Sequence, residues 1–461
     1  MRDYRKIAAL ALSALLFLGF VLVSCTPSSV EQSSPSQQNL PDQSASSGES
    51  LPPVEEKIDL GGYKFTIASI GTSAPNPESP TYEEEMELLR SIEKKYNITL
   101  DFFWFDNWQE YTNQYLVTAM AGTPFGDVCW QDSGLMYPAA VVKGLVIPLD
   151  DIFDFSNPMW NHEYNEQMMY EGKHYGITQS QFGAGSGIAF NKALLARFGL
   201  KSPYEYVKEG NWTWETFREL AKAATRDGIY GIASQSTGAI VPHDFVYTNG
   251  GSSYVIDENG KVKFALDDPR AIEAIQFAYD LWNVDNVVDH GPEDAEYAYG
   301  EKQFRKGLAL FFHAASYNIG LYNRDLDDQV GFVWLPKGPR VDDYVNFSSS
   351  LSAMFIPPNT TYPEYAGKII TDWYAPYEWR AENSYSRLES QFRDEDALAI
   401  ALEMPSKTAP NMLYTPYEWY RNWVLWSDMG VKAGMNPQQY IEEVKVMAQK
   451  SIDDTWAGLD E

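Results

Sequence analysis

The chain has 461 residues, more than one ordinary core holds, and a formal charge of −29 that argues against nucleic acid and against electrostatic docking on anionic lipid. Two cysteines leave no room for a disulfide framework, and five scattered histidines suggest no metal cluster. Aromatic residues make up 15% of the chain, with 14 Trp and 30 Tyr, which exceeds what a core of this size needs and leaves flat stacking surfaces to spare.

Arg2, Arg5 and Lys6 form a positive head before an uncharged apolar run, Ile7 to Val23, which suits a signal-peptide core and is short for a spanning helix. The run ends in Leu22-Val23-Ser24-Cys25, which resembles a lipobox, where bacteria cut a lipoprotein precursor just before cysteine. That resemblance implies a signal peptide over residues 1–24 and lipidation of Cys25, which would anchor the protein to the membrane. An uncleaved N-terminal anchor is the alternative, and both leave the remainder outside. Cys129 then has no partner, and its apolar setting predicts a small buried residue rather than a reactive thiol. Residues 26–56 hold nine Ser, five Pro and four Gln with no aromatic residue. With Cys25, they read as a lipidated, disordered tether over 25–56, with a coil dimension of about 30 Å.

The folded part opens with Gly61 to Ala68, whose alternation predicts a strand. Met86, Leu89, Ile92 and Tyr96 predict a helix, Ile98 to Phe105 a second strand, Tyr111 to Met120 a helix, and Asp127 to Trp130 a third strand. This alternation implies a parallel α/β sheet with ligand contacts at the carboxyl ends of its strands. Asp106 and Trp108 could reach such a cleft, but they fit better as the opening of the helix that follows. Thr213 before Trp214, Asp268-Pro269 and Asn436-Pro437 are helix starts, and the aromatics behind them are spaced for core packing. Val255 to Val262 reads as a hairpin turning at Asn259-Gly260.

Several segments carry a resemblance. Ala121-Gly122-Thr123-Pro124 with Asp127-Val128 looks like a turn into a strand, and Lys143-Gly144-Leu145-Val146-Ile147-Pro148-Leu149-Asp150 like the stretch that closes the loop after it. Gly172 to Ile177 with Ile188 to Lys192, the helix at Trp212-Thr213-Trp214-Glu215, Phe304 to Leu310, and Val330 to Gly338 follow in order. Together they resemble the extracellular solute-binding proteins of ABC transporters, the sugar-type family that includes maltose-binding protein, from about Gly61 to Asp454. The resemblance implies an α/β, two-lobe periplasmic-binding-protein fold of type II, whose discontinuous lobes are joined by a hinge of crossing segments. By analogy lobe 1 takes 57–182 plus 317–372, and lobe 2 takes 186–312 plus 375–461. The crossings fall near Phe182–Ser186, His313–Tyr317 and Trp373–Pro376.

A sugar site needs flat apolar faces and a few convergent polar groups, and Trp130-Gln131-Asp132 offers both on one strand end. By family position Trp130 is an aromatic wall and Asp132 an acceptor for hydroxyls. Gln179, Gln181 and Phe182 approach the first crossing. His243, Asp244 and Tyr247 precede the second lobe's contact region, His313 and Tyr317 flank the second crossing, and Phe347 begins a strand facing the first lobe. Each has a structural alternative, core packing for the aromatics and a satisfied structural histidine for His243. The expected partners are a carbohydrate or other small polar solute, ABC permease subunits and the membrane through Cys25, with the protein a monomer on the extracellular face.

Enzymatic readings lack their groups. Gly183-Ala184-Gly185-Ser186-Gly187 has glycine where a nucleophile elbow needs serine, and His162-Glu163 does not continue as a zinc helix. No catalytic residue, cofactor or metal is therefore expected. A carbohydrate-active enzyme or surface adhesin remains the alternative outside transport, and a peptide or other polar solute the alternative within it.

Overall fold

The structure is a computed structural model that describes residues 58–137, 139–179, 185–233, 242–257, 261–292, 298–346, 352–407, 430–431 and 433–457. Its strands, in chain order, are β1 (Tyr63–Ile70), β2 (Ile98–Phe105), β3 (Val128–Asp132), β4 (Met169–Tyr170), β5 (Lys173–His174), β6 (Ser186–Asn191) and β7 (Tyr230–Ala233). They continue as β8 (Tyr254–Ile256), β9 (Val262–Phe264), β10 (Val288–Asp289), β11 (Ala309–Ala315), β12 (Val330–Val333) and β13 (Ser352–Phe355).

The first sheet has the order β13-β3-β1-β2, with β1 parallel to both β2 and β3 and with β13 antiparallel to β3. Alternation sorts its two faces. Phe65, Ile67 and Val128 pack with Ile92 and Tyr96 of the Tyr82–Tyr96 helix and with Ile369 and Ile370 of the Pro363–Tyr374 helix. Ala68 and Cys129 face Tyr111 and Tyr115 of the Trp108–Met120 helix. Asn107 opens that helix, its Oδ1 accepting the Glu110 N–H at 3.1 Å. Cys129 is buried, and burial pushes its thiol well above the ordinary range, so it behaves as a core residue.

The second sheet has the order β10-β7-β11-β6-β12. β7, β10 and β11 run parallel, while β6 is antiparallel to β11 and β12. Its strands are buried on both faces, and the Trp214–Ala224 helix lies against β7 over Gly231, where a Cβ would come 2.3 Å from the Ala221 carbonyl oxygen. The helix starts read from sequence are present. Thr213 forms a reciprocal capping box with Thr216, Asp268 caps Arg270 with Pro269 in the first turn, and Asn436 accepts the N–H groups of Gln438 and Gln439. β8 and β9 pair antiparallel as the expected hairpin, and its turn at 258–260 lies outside the described residues.

The expected lobe boundary after the second crossing needs correction. Ile319, Tyr322, Val330, Phe332, Trp334 and Tyr344 belong to the core of the second sheet, and β12 pairs with β6. The chain rejoins the first sheet only at β13, so residues 319–344 pack with lobe 2, not lobe 1. A strand carries its side chains to whichever sheet its backbone completes, and that pairing is set by partners distant in sequence.

Candidate functional site

The carboxyl ends of β1 and β3 lie beside the start of β13, where Asp132 stands opposite Ser352 and Trp130 opposite Met354. Trp130 is half-buried, and its indole stacks on the ring of Tyr374 with centroids 5.8 Å apart and planes 14° apart. Tyr374 is the last residue of the Pro363–Tyr374 helix. Its neighbour Trp373 meets it at 4.9 Å and packs edge-on against Phe102 of β2 at 5.6 Å. Four partly buried aromatic rings thus touch in series beside the first core, with the Asp132 carboxylate two residues along the strand from Trp130. Burial raises the Tyr374 hydroxyl above its ordinary pKa, so it stays neutral at physiological pH.

Gln131 is not part of this surface. Its side chain is 1% exposed and points to the opposite face, where Nε2 donates to Thr112 Oγ1 at 3.0 Å and Oε1 accepts the Asp132 N–H at 2.8 Å. Adjacent strand residues face opposite ways, so Trp130 and Gln131 cannot both meet one ligand from a flat strand. Gln179 is committed as well, its Nε2 donating to the Tyr374 carbonyl at 2.6 Å.

At the second sheet, the carboxyl end of β11 carries His313, whose Nε2 lies 2.8 Å from Oδ2 of the buried Asp244 on the Pro242–Thr248 helix. This contact joins two residues read separately from the sequence. Tyr317 follows β11 and is 68% exposed, while the Ser316 N–H holds the Gly185 carbonyl at 2.9 Å. Tyr247 is a correction. It is 8% exposed within the second core, its hydroxyl 3.0 Å from Ser253 Oγ, because the helix that presents Asp244 turns Tyr247 inward. The side chain of His243 and all of Gln181, Phe182, Phe347 and Cys25 lie outside the described residues. Among the described residues, no group of three or more His, Cys, Asp or Glu could hold a metal ion, and no helix is long and apolar enough to cross a membrane.

A family model for bacterial extracellular solute-binding proteins matches residues 87–378, more than half of the chain. The chain belongs to this family. No curated protein sequence matches. Among solved structures, the ABC substrate-binding protein Lmo0181 from Listeria monocytogenes, in complex with cycloalternan, is 16% identical with a TM-score of 0.60, covering 86% of this chain and 99% of its own. UgpB from Mycobacterium tuberculosis, in complex with glycerophosphocholine, is 16% identical with a TM-score of 0.61 and the same coverage, 86% and 99%. A solute-binding protein from Agrobacterium radiobacter K84, in complex with ribitol, is 19% identical with a TM-score of 0.55, covering 85% and 99%. These likenesses establish the α/β fold of type II solute-binding proteins for this family member.

Tyr374 is the residue that reading the sequence missed. It ends an amphipathic helix before Ala375-Pro376, a pattern that marks a helix terminus and carries no sign of what the terminus touches.

Proposed function

We propose that this solute-binding protein captures a carbohydrate, mono- or oligosaccharide, and delivers it to the membrane subunits of an ABC permease. The observation that carries this reading is the Trp130–Tyr374 stack at the carboxyl edge of the first sheet, beside Asp132. Such a flat ring surface with an adjacent acceptor matches the apolar face and hydroxyl rim of a sugar ring. From the second lobe, Tyr317 supplies a further ring, and His313, 2.8 Å from Asp244 Oδ2, a polar group. Closure of the two lobes about their crossing segments would bring these groups onto one ligand. The reading includes no catalytic step.

A thermal-shift screen tests the ligand class, using maltotriose, cycloalternan, ribitol, glycerophosphocholine and short peptides. A ligand at 100 times its Kd adds about 2.7 kcal/mol of stability. Stabilisation by the peptides or by glycerophosphocholine, with none by the saccharides, overturns the carbohydrate reading.

The lipobox-like Leu22 to Cys25 supports attachment to the outer face of the cell membrane through lipid on Cys25. Cys25→Ala is expected to release the protein into the soluble fraction without labelled-lipid incorporation. Continued membrane retention of the variant would favour an uncleaved anchor.

A further inference from the structure

Three consecutive carbonyls at the end of the Pro363–Tyr374 helix are each taken by a side chain. The Tyr377 hydroxyl donates to the Asp372 carbonyl at 3.3 Å, the Arg380 guanidinium donates to that of Trp373, and Gln179 Nε2 donates to that of Tyr374. The last carbonyls of any helix lack partners within it. A common remedy is a left-handed residue just past the end, which turns the backbone to cover them. That route is closed here. Ala375 precedes Pro376 and is extended, at φ −51° and ψ 145°, as the proline ring requires of the residue before it. Side chains must therefore do the capping.

The caps come from two separate stretches of chain. Gln179 lies ahead of β6, whereas Tyr377 and Arg380 follow the helix they cap. Arg380 is held in turn by rings, its guanidinium 4.9 Å from the Trp379 centroid and 5.6 Å from that of Tyr377, which stack 5.8 Å apart at 13°. A cation at this end also opposes the negative pole of the helix. The side chain at the end of the capped segment is Tyr374, and it lies flat on Trp130.

We propose that Gln179, Tyr377 and Arg380 are positioning residues that hold Tyr374 against Trp130 and so set the affinity of that aromatic wall without forming part of it. The proposal rests on the reading of Trp130 and Tyr374 as a ligand surface. The competing account is that these side chains cap a helix, stabilise the fold, and leave the wall indifferent to them.

The test combines near-ultraviolet circular dichroism of the unliganded protein with calorimetric titration of maltotriose. Difference spectra of Trp130→Phe and Tyr374→Leu define the signal of the stacked pair. Gln179→Ala and Arg380→Met are each expected to lose most of that signal and to weaken maltotriose binding about tenfold, the scale of one lost hydrogen bond. Arg380→Lys, which keeps a cationic donor, is expected to restore most of both. In a Tyr374→Ala background Arg380→Met should add no further loss, since both changes act through the same ring. An intact pair signal and unchanged affinity alongside a lowered melting temperature overturn the proposal, as does an equal tenfold loss in the Tyr374→Ala background. Should Arg380→Met fail to fold, Tyr377→Phe, which removes one of the three bonds, carries the same comparison. If the wild type does not take up maltotriose, the carbohydrate reading fails for that probe, and the spectra of the unliganded variants still decide the positioning role.

Discussion

The first sheet ends at its carboxyl edge in a series of contacting rings, whereas the second ends in a contact between His313 and the buried Asp244 carboxylate, and one exposed tyrosine. Trp130 stacks on Tyr374, Tyr374 meets Trp373, and Trp373 meets Phe102 edge-on. On the second lobe the Asp244–His313 contact is shielded, and Tyr317 stands in solvent. The difference teaches that, on the proposed function, the first sheet would offer a prearranged ring surface and the second separate groups. Preorganised rings lose little freedom on binding, while an exposed side chain must be ordered by the ligand it meets.

The largest expected effect marks what a true core ring does, against which the site rings can be judged. Trp212 is buried in the second core, and its indole N–H donates to the Trp334 carbonyl at 2.7 Å. Trp212→Ala should remove about 3–5 kcal/mol of stability. Urea unfolding checks this, and a loss below about 1 kcal/mol would erase the distinction between core and site aromatics.

Trp130→Ala comes next. It should weaken carbohydrate binding ten- to a hundredfold, about 1.4–2.8 kcal/mol. Its effect on the empty protein should be near the worth of one aromatic pair, about 0.5–1.5 kcal/mol, together with partial burial. Titration paired with unliganded melting curves separates the two. Early melting with normal binding would move Trp130 from the platform to the core.

Tyr317→Ala should weaken binding by about tenfold and leave the melting temperature of the empty protein unchanged, since its ring is already exposed. Unaltered affinity would show that the second lobe contributes only its polar contact.

The smallest effect lies away from both edges and controls for general electrostatics. Burial alone would raise the Asp285 carboxyl, but hydrogen bonds from Arg218 and Lys222 outweigh it and hold the pKa below the ordinary 3.8. A depressed folded pKa gives stability that is present above the unfolded value and lost as pH falls through the folded one. Wild type should therefore lose melting temperature more steeply below about pH 4 than Asp285→Asn does. Parallel acid profiles for the two would remove this ion pair as a source of acid sensitivity, and the same scan shows whether ligand affinity changes independently of it.

Much of this molecule was written in short-range pattern. Alternation over Tyr63–Ile70 and helical spacing from Leu89 to Tyr96 depend on neighbours a few residues apart, as do the caps at Thr213, Asp268 and Asn436. The ordered set of motifs then identified the family that the match over residues 87–378 shows. The tertiary structure alone decided which sheet β12 completes, that Gln131 and Tyr247 turn into the interior, and that Tyr374 is the ring on Trp130. Tyr374 lies 244 positions from Trp130, and β12 joins a strand well over a hundred residues upstream. Local sequence specifies backbone conformation because its causes are caps, turns and periodicity. Which faces meet depends on contacts between distant segments, and a single sequence holds no local signal for them.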